Sequence, residues 1–295
     1  VVGTQASLPS RYNKQDKWGV TWPNCIDPCV FYDENGQLWM SYGSWSGGIF
    51  MLKLDAKTGL RDYDATYPLT GSGANYTSDP YFGKKIAGGY YASGEGSYIQ
   101  HIGDYYYLFM SYGGLTSDGG YEMEVFRSKN PDGPYVDPKG TSALFDRYLM
   151  NYGTNGSFRG EKILGSYENW GFMTTGKKTS FSTPGELSQG HNSAITDAQG
   201  RSFLIYHTRF NDGSKGHTVR VHQLFTTSNG WLAAAPFEFT GETVNDDSIA
   251  TRQRFSAHEL AGTYQVLVHK QGVDYINRET VKPIAVTLTE DGKVT

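Results

Sequence analysis

Apolar positions in this chain fall in short alternating runs bounded by Gly, Asn and Asp, and no long segment keeps the 3.6-residue period of a helix. Three stretches share one phrase: a polar residue heads a strand, a tight turn follows, and an aromatic-rich strand returns. Cys25-Ile26-Asp27-Pro28 enters Val30-Phe31-Tyr32, turns at Asn35-Gly36 and returns as Leu38-Trp39-Met40-Ser41-Tyr42-Gly43. Gly94-Glu95-Gly96-Ser97-Tyr98-Ile99 turns at Gly103-Asp104 and returns as Tyr105-Tyr106-Tyr107-Leu108-Phe109-Met110-Ser111-Tyr112-Gly113. Gly190-His191-Asn192-Ser193-Ala194-Ile195 turns at Gly200 and returns as Phe203-Leu204-Ile205-Tyr206-His207.

A third alternating run follows each phrase, at residues 48–55, 121–127 and 218–225, and a fourth strand is expected at Tyr135-Val136-Asp137 and at Trp231-Leu232-Ala233. Repeated four-stranded units of about 45 residues, near 26–66, 95–138 and 190–240, predict an all-β fold of the β-propeller kind. A β-sandwich is the rival, but it does not place a polar residue at the head of every repeat. Residues 1–25 and 139–189 read as connecting loops with parts of other strands. From about Ser256 the pattern changes, and Leu260 to Val268 and Ile284 to Leu288 read as the opening of a second small β module. The expected division is therefore 1–255 and 256–295.

Composition narrows the chemistry. A chain of 295 residues can bury a large core, and 22 Tyr with 37 Gly suit short strands joined by tight turns. Aromatic faces also stack on sugar rings, although most of these residues serve the core. A net charge of −4 argues against a nucleic-acid partner, and no stretch is apolar enough to span a membrane. Cys25 and Cys29 would lie about 13 Å apart in an extended strand, too far for a disulfide, so buried free thiols are expected; a metal site there would need a second pair of ligands.

The candidate catalytic residues are Glu95 and Asp27. Glu95 stands between two glycines, whose missing side chains would let a substrate approach its carboxyl. Asp27 holds the corresponding place in another repeat, before a proline that fixes the backbone. Two nearby carboxylates push their titrations apart, which keeps one protonated and fits it for general-acid cleavage of a glycoside. The plainer alternative is a pair of surface turn carboxylates.

These motifs carry a resemblance. Asn24-Cys25-Ile26-Asp27-Pro28, with Leu38 to Trp45 and Gly47-Gly48-Ile49-Phe50, resembles the second blade of the arabinanases of glycoside hydrolase family 43. Gly94 to Ile99 resembles the blade that carries their general acid. Gly190-His191-Asn192-Ser193, His207-Thr208-Arg209-Phe210 and Val219 to Gln223 resemble the later blade that holds their central histidine. The resemblance covers most of residues 1–250.

It implies a five-bladed propeller, its first blade largely absent from this chain, followed from His258 by the start of a small C-terminal β-barrel. The implied activity is hydrolysis of α-1,5-linked L-arabinan with inversion by a secreted enzyme. Glu95 would be the general acid, and Asp27 the residue that raises the acid's pKa and orients it. Asn24, Cys25, Ile26 and Asp27, with Ser44, Trp45 and Ser46, would line the sugar subsites, Trp45 as a stacking wall. His191 would face the axial channel, where these enzymes often hold calcium; a structural histidine is the alternative.

The family's general base is an aspartate of an Asp-Pro motif in the first blade. Asp79-Pro80 and Asp137-Pro138 do not head a repeat and read as turns. The chain starts Val1-Val2-Gly3 and stops in a turn and part of a strand, so it reads as an internal piece of a longer protein. The base is accordingly expected on an N-terminal segment outside it. A non-catalytic carbohydrate-binding propeller, or an enzyme acting on β-xylosides or arabinofuranosyl side chains, would share the fold.

Overall fold

A computed structural model describes residues 23–71, 76–90, 94–147, 159–174, 177–241, 255–271 and 280–295. The described chain is all-β apart from one four-residue helix, and no helix among these residues is long and apolar enough to cross a membrane.

The first sheet holds β1 (Cys29–Tyr32), β2 (Leu38–Tyr42), β3 (Ile49–Leu54), β4 (Ser78–Asp79) and β5 (Gly83–Ala87), in the order β1-β2-β3-β5-β4. The second holds β6 (Glu95–Ile102), β7 (Tyr105–Tyr112), β8 (Glu122–Ser128) and β9 (Glu161–Leu164), paired in sequence. Next come β10 (Trp170–Thr174) and β11 (Lys177–Thr183), an antiparallel pair. The third large sheet follows as β12 (Glu186–Thr196), β13 (Ser202–Phe210), β14 (His217–Thr226) and β15 (Leu232–Ala234).

Two apolar layers join the three large sheets, and β7 explains how. Successive strand residues point to opposite faces. Tyr106, Leu108, Met110 and Tyr112 therefore pack with Cys29, Trp39, Ile49 and Met51 of the first sheet. Tyr107 and Phe109 pack instead with Ala194, Leu204, Tyr206 and Leu224 of the third. A strand covered on both sides needs apolar residues at every position, which is why residues 105–110 do not alternate. Three sheets stacked face to face in this way are blades, not a two-layer sandwich. Their first strands meet, with β6 touching both β1 and β12.

Of the two expected fourth strands, Trp231 to Ala233 matches β15 (Leu232–Ala234), while the other is displaced. Tyr135 to Asp137 makes only isolated bridges, Val136 with Arg127 and with Ser142. The fourth strand of that sheet is β9, which takes the half of β8 around Met123 to Val125. The first sheet runs on past residue 66 to Ala87. Asp79 and Asp137 both cap turns: the Oδ1 of Asp79 accepts the N–H of Tyr81 at 2.7 Å, and that of Asp137 accepts the N–H groups of Lys139 and Thr141 at 2.9 and 2.8 Å.

The C-terminal part holds α1 (Ala257–Leu260), started by a Ser256/Glu259 capping box, and the antiparallel pair β16 (Gly262–Val266) and β17 (Ile284–Leu288). It is not detached from the rest. Val281 bridges Tyr167, and the side chain of Gln265 accepts the N–H of Gly171 at 2.8 Å.

Candidate active site

The heads of β1, β6 and the middle of β12 meet, and backbone bonds fix how. The N–H of Gly43 binds the carbonyl of Ile26 at 3.0 Å, and the amide of Asn24 donates to the carbonyl of Ser44 at 2.8 Å, which ties the segment before β1 to the turn after β2. That turn is tied to the second sheet by the N–H of Trp45, 2.7 Å from the carbonyl of Gly94. Four residues here hold a left-handed backbone that non-glycine residues rarely adopt: Asp27, Trp45, Ser46 and His191, with φ of 54°, 46°, 41° and 50°.

Asp27 and His191 form the first pair. The Oδ1 of Asp27 lies 3.3 Å from Nε2 of His191, and its Oδ2 accepts the N–H of Gly96 at 3.0 Å. Burial pushes the Asp27 carboxyl up, but the bonds from His191 and Gly96 outweigh it and hold the group below its ordinary value. The hydrogen bond to Asp27 raises His191 in turn, against burial. The backbone N–H of His191 donates to Oγ of Ser111 at 2.7 Å.

Glu95 gathers donors from three other side chains. Its Oε1 accepts the hydroxyl of Tyr121 at 2.8 Å; its Oε2 accepts Nε1 of Trp45 at 3.0 Å and Oγ of Ser44 at 3.4 Å. The Tyr121 hydroxyl also lies 3.4 Å from Nδ1 of His191, and its ring stacks on His207 at 5.8 Å. Burial, with repulsion from the neighbouring His217 second, drops His207 to about 4, so it is neutral at physiological pH.

Several expectations need correction here. The glycines around Glu95 do not simply open space for substrate. A Cβ on Gly96 would come within 3.1 Å of Cα of His191, and one on Gly94 within 2.7 Å of the Ser111 carbonyl, so both admit the protein's own neighbours. Trp45 is a donor to Glu95 whose ring packs against the core, rather than a free stacking wall. Cys25 and Ile26 do not join the carboxylates. They line an apolar groove of about 590 Å³ with Pro28, Met40, Tyr42 and Leu52. Cys25 is exposed; only Cys29 is a buried thiol, pushed to about 11 by burial. Ser46 is buried next to Trp45.

Among the described residues, the side chains beside His191 do not by themselves supply a calcium shell. Calcium takes six to eight oxygen ligands, whereas both ring nitrogens of His191 face protein partners. Among the described residues no group of three or more His, Cys, Asp or Glu is placed to hold a metal.

Sequence reasoning missed Tyr121 and Ser111, which read as core strand residues. The Ser-Tyr-Gly ending shared by β2 and β7 was the available signal for Ser111. It also passed over a second acidic cluster. Glu122 and Glu124 lie on β8 beside Lys162 of β9, whose Nζ is 2.6 Å from the Oε2 of Glu122. Glu124 is wholly buried, and neither of its carboxyl oxygens has a hydrogen-bond partner; burial raises it well above the carboxylate range, with Lys162 acting against the rise.

Comparison with known proteins identifies the family. The family model for glycosyl hydrolases family 43 matches residues 11–160. An extracellular endo-alpha-(1->5)-L-arabinanase of Thermotoga petrophila is 41% identical over 277 residues, 92% of this chain and 52% of that protein. Extracellular endo-alpha-(1->5)-L-arabinanase 2 of Bacillus subtilis is 41% identical over 88% of this chain and 50% of its own length. The crystal structure of the endo-1,5-alpha-L-arabinanase from Thermotoga petrophila superposes with a TM-score of 0.71 at 40% identity, over 92% of this chain and 54% of that one. That of the family 43 YxiA protein from Bacillus licheniformis gives 0.72 at 36% identity, over 94% and 56%. The chain spans about half the length of the curated relatives it matches. A family match across half its residues, with these likenesses, means that the chain belongs to glycosyl hydrolases family 43.

Proposed function

We propose that this chain is the propeller part of a secreted enzyme that cleaves α-1,5-linked L-arabinan with inversion. The observation that carries the reading is the meeting of Glu95 and Asp27 at the heads of neighbouring sheets, with His191 and Gly96 between them. Glu95 is the general acid and protonates the departing sugar oxygen. Asp27 keeps its negative charge beside it and orients the centre through His191. Asn24 and the Ser44 to Ser46 turn border the cleft. The 41% identity to two extracellular endo-arabinanases supports both the substrate and the location.

An inverting glycosidase also needs a base about 6.5–9.5 Å from the acid, to activate water on the far side of the ring. The aspartates of the two other Asp-Pro pairs, Asp79 and Asp137, are committed to their own turns. The base therefore belongs to an N-terminal segment of the same protein, in a first blade that completes five. The pair β16 and β17 opens a C-terminal β-barrel module that begins near residue 256.

Product analysis on linear arabinan tests this, using the complete gene product beside its Glu95→Gln variant. Arabino-oligosaccharides are expected from the wild type, with a loss of at least about 100-fold in the variant. No release from the complete wild type would overturn the reading. Residues 1–295 alone are expected to be inactive, and a normal rate from them would refute the assignment of the base to another segment.

A further inference from the structure

Tyr121 belongs to no repeat head, yet it is the residue that touches most of the site. It is fully buried immediately before β8. Its hydroxyl donates its one proton to Oε1 of Glu95 and can accept Nδ1–H of a protonated His191, with the Ser111 side chain also in reach. The 2.8 Å separation from Oε1 of Glu95 is an ordinary O–H···O hydrogen bond, while Nδ1 of His191 at 3.4 Å is the weaker partner. Burial, with the Glu95 charge second, drives the phenol far above its usual value, so it stays a donor across the working pH range.

The ring cannot swing away. One face lies on the His207 imidazole at an interplanar angle of 12°, and a Cβ on Gly190 would fall 2.3 Å from two of its ring carbons. A glycine there leaves just enough room for the ring. The hydroxyl is thus held by packing, independently of the bond it makes.

Glu95 depends on it for a different reason. A glutamate has three side-chain torsions and needs two fixed points to set the plane of its carboxyl. Nε1 of Trp45 fixes Oε2, and the Tyr121 hydroxyl fixes Oε1. With one point removed, the carboxyl can turn about the other.

We propose that Tyr121 is a positioning residue for proton delivery: its hydroxyl sets the plane of the Glu95 carboxyl and fastens it, through His191, to Asp27. The proposal rests on Glu95 being the general acid. A shift of about 1 Å in a reacting group costs on the order of 100-fold in rate. The loss falls only on substrates whose leaving group needs a proton.

That selectivity is the test. Wild type, Tyr121→Phe and Glu95→Gln forms of the complete gene product are compared on two substrates. One is linear arabinan; the other is a 2,4-dinitrophenyl glycoside of an arabino-oligosaccharide, whose phenolate departs without protonation. For Tyr121→Phe, kcat on arabinan is expected to fall about 10- to 100-fold with KM within about 2-fold, and the rate on the aryl glycoside to stay within about 2-fold. Equal loss on both substrates, or loss on neither, overturns the proposal. Glu95→Gln should show the same split more strongly; if it keeps arabinan activity, the acid assignment itself fails and the role of Tyr121 falls with it. A crystal structure of Tyr121→Phe gives an independent readout. The Glu95 carboxyl should be rotated about its Trp45 contact, and an unmoved carboxyl contradicts the proposal.

Discussion

Glu95 and the pair Glu122 and Glu124 lie in neighbouring rows of one sheet. Glu95 pairs across to Ser111, Ser111 pairs to Met123, and the two other glutamates flank Met123 two strands further out. Their surroundings differ entirely. Donors from the first sheet and from Tyr121 meet both oxygens of Glu95. Glu124 has none, and the Lys162 ammonium, bonded to Glu122, reaches it only through its charge. The strongly raised carboxyl of this sheet is thus the one with no partner and no cleft. A perturbed titration marks burial, and only geometry turns it into a candidate for function.

The sharpest way to break the comparison is to remove the Lys162 ammonium. Lys162→Met should cost about 3–5 kcal/mol in chemical denaturation, because it strands two carboxyls in a site where the lysine and Glu122 side chains are 8% and 7% exposed. A loss below about 1 kcal/mol would mean that water reaches the cluster.

Glu124→Gln tests the same cluster from the other side. A raised carboxyl stabilises the fold at low pH, fully so below its unfolded value near 4.5, and that contribution is lost as pH rises toward the folded value. The variant should therefore be equal to or more stable than wild type at pH 8, by about 0–2 kcal/mol, and should flatten the fall in stability above pH 5.

The smallest effect belongs to the candidate site. Asp27 is held down and His191 held up by one mutual contact. His191 contributes stability fully below its unfolded value near 6.5 and loses it as pH rises through the raised folded value; Asp27 contributes above 3.8 and loses it as pH falls through the lowered one. The pair is worth most between those limits. Asp27→Asn should cost only about 0.5–1 kcal/mol there, since the His191 side chain is 43% exposed. In NMR titration His191 should fall, because both effects of Asp27 are lost and only the Glu95 charge is left to oppose burial. An unchanged His191 would mean the contact does not form in solution.

Much of this was readable in the chain because the repeats carry their strands as strong signals. The run from Tyr105 to Met110 announces a strand buried on both faces, and polar residues heading apolar phrases pointed to Asp27, Glu95 and His191. What failed to show was short or polar. β9 is only Glu161–Leu164, and β11 reads Lys-Lys-Thr-Ser-Phe-Ser-Thr, so neither stands out against loop sequence. Tyr135 to Asp137 looked more like a strand, but half of β8 was left for a partner from much later in the chain. Tyr121 and Ser111 stayed hidden because strand aromatics and small polar residues nearly always serve packing. Their role is created by the neighbouring sheet, and one strand's pattern does not record that.

The left-handed backbone at Asp27, Trp45, Ser46 and His191 has a consequence for anyone altering this protein. Each of these residues costs about 1 kcal/mol or more in conformational strain that a glycine would not incur. The sequence keeps the costlier residue at every one of them. A directed-evolution campaign that rewards heat resistance alone could relieve this strain with glycine at Asp27 or His191, and each such change would remove part of the carboxylate centre, whereas at Trp45 the lost packing would outweigh the relief. Selection for ruggedness and selection for turnover pull these positions in opposite directions, so the two should be screened together.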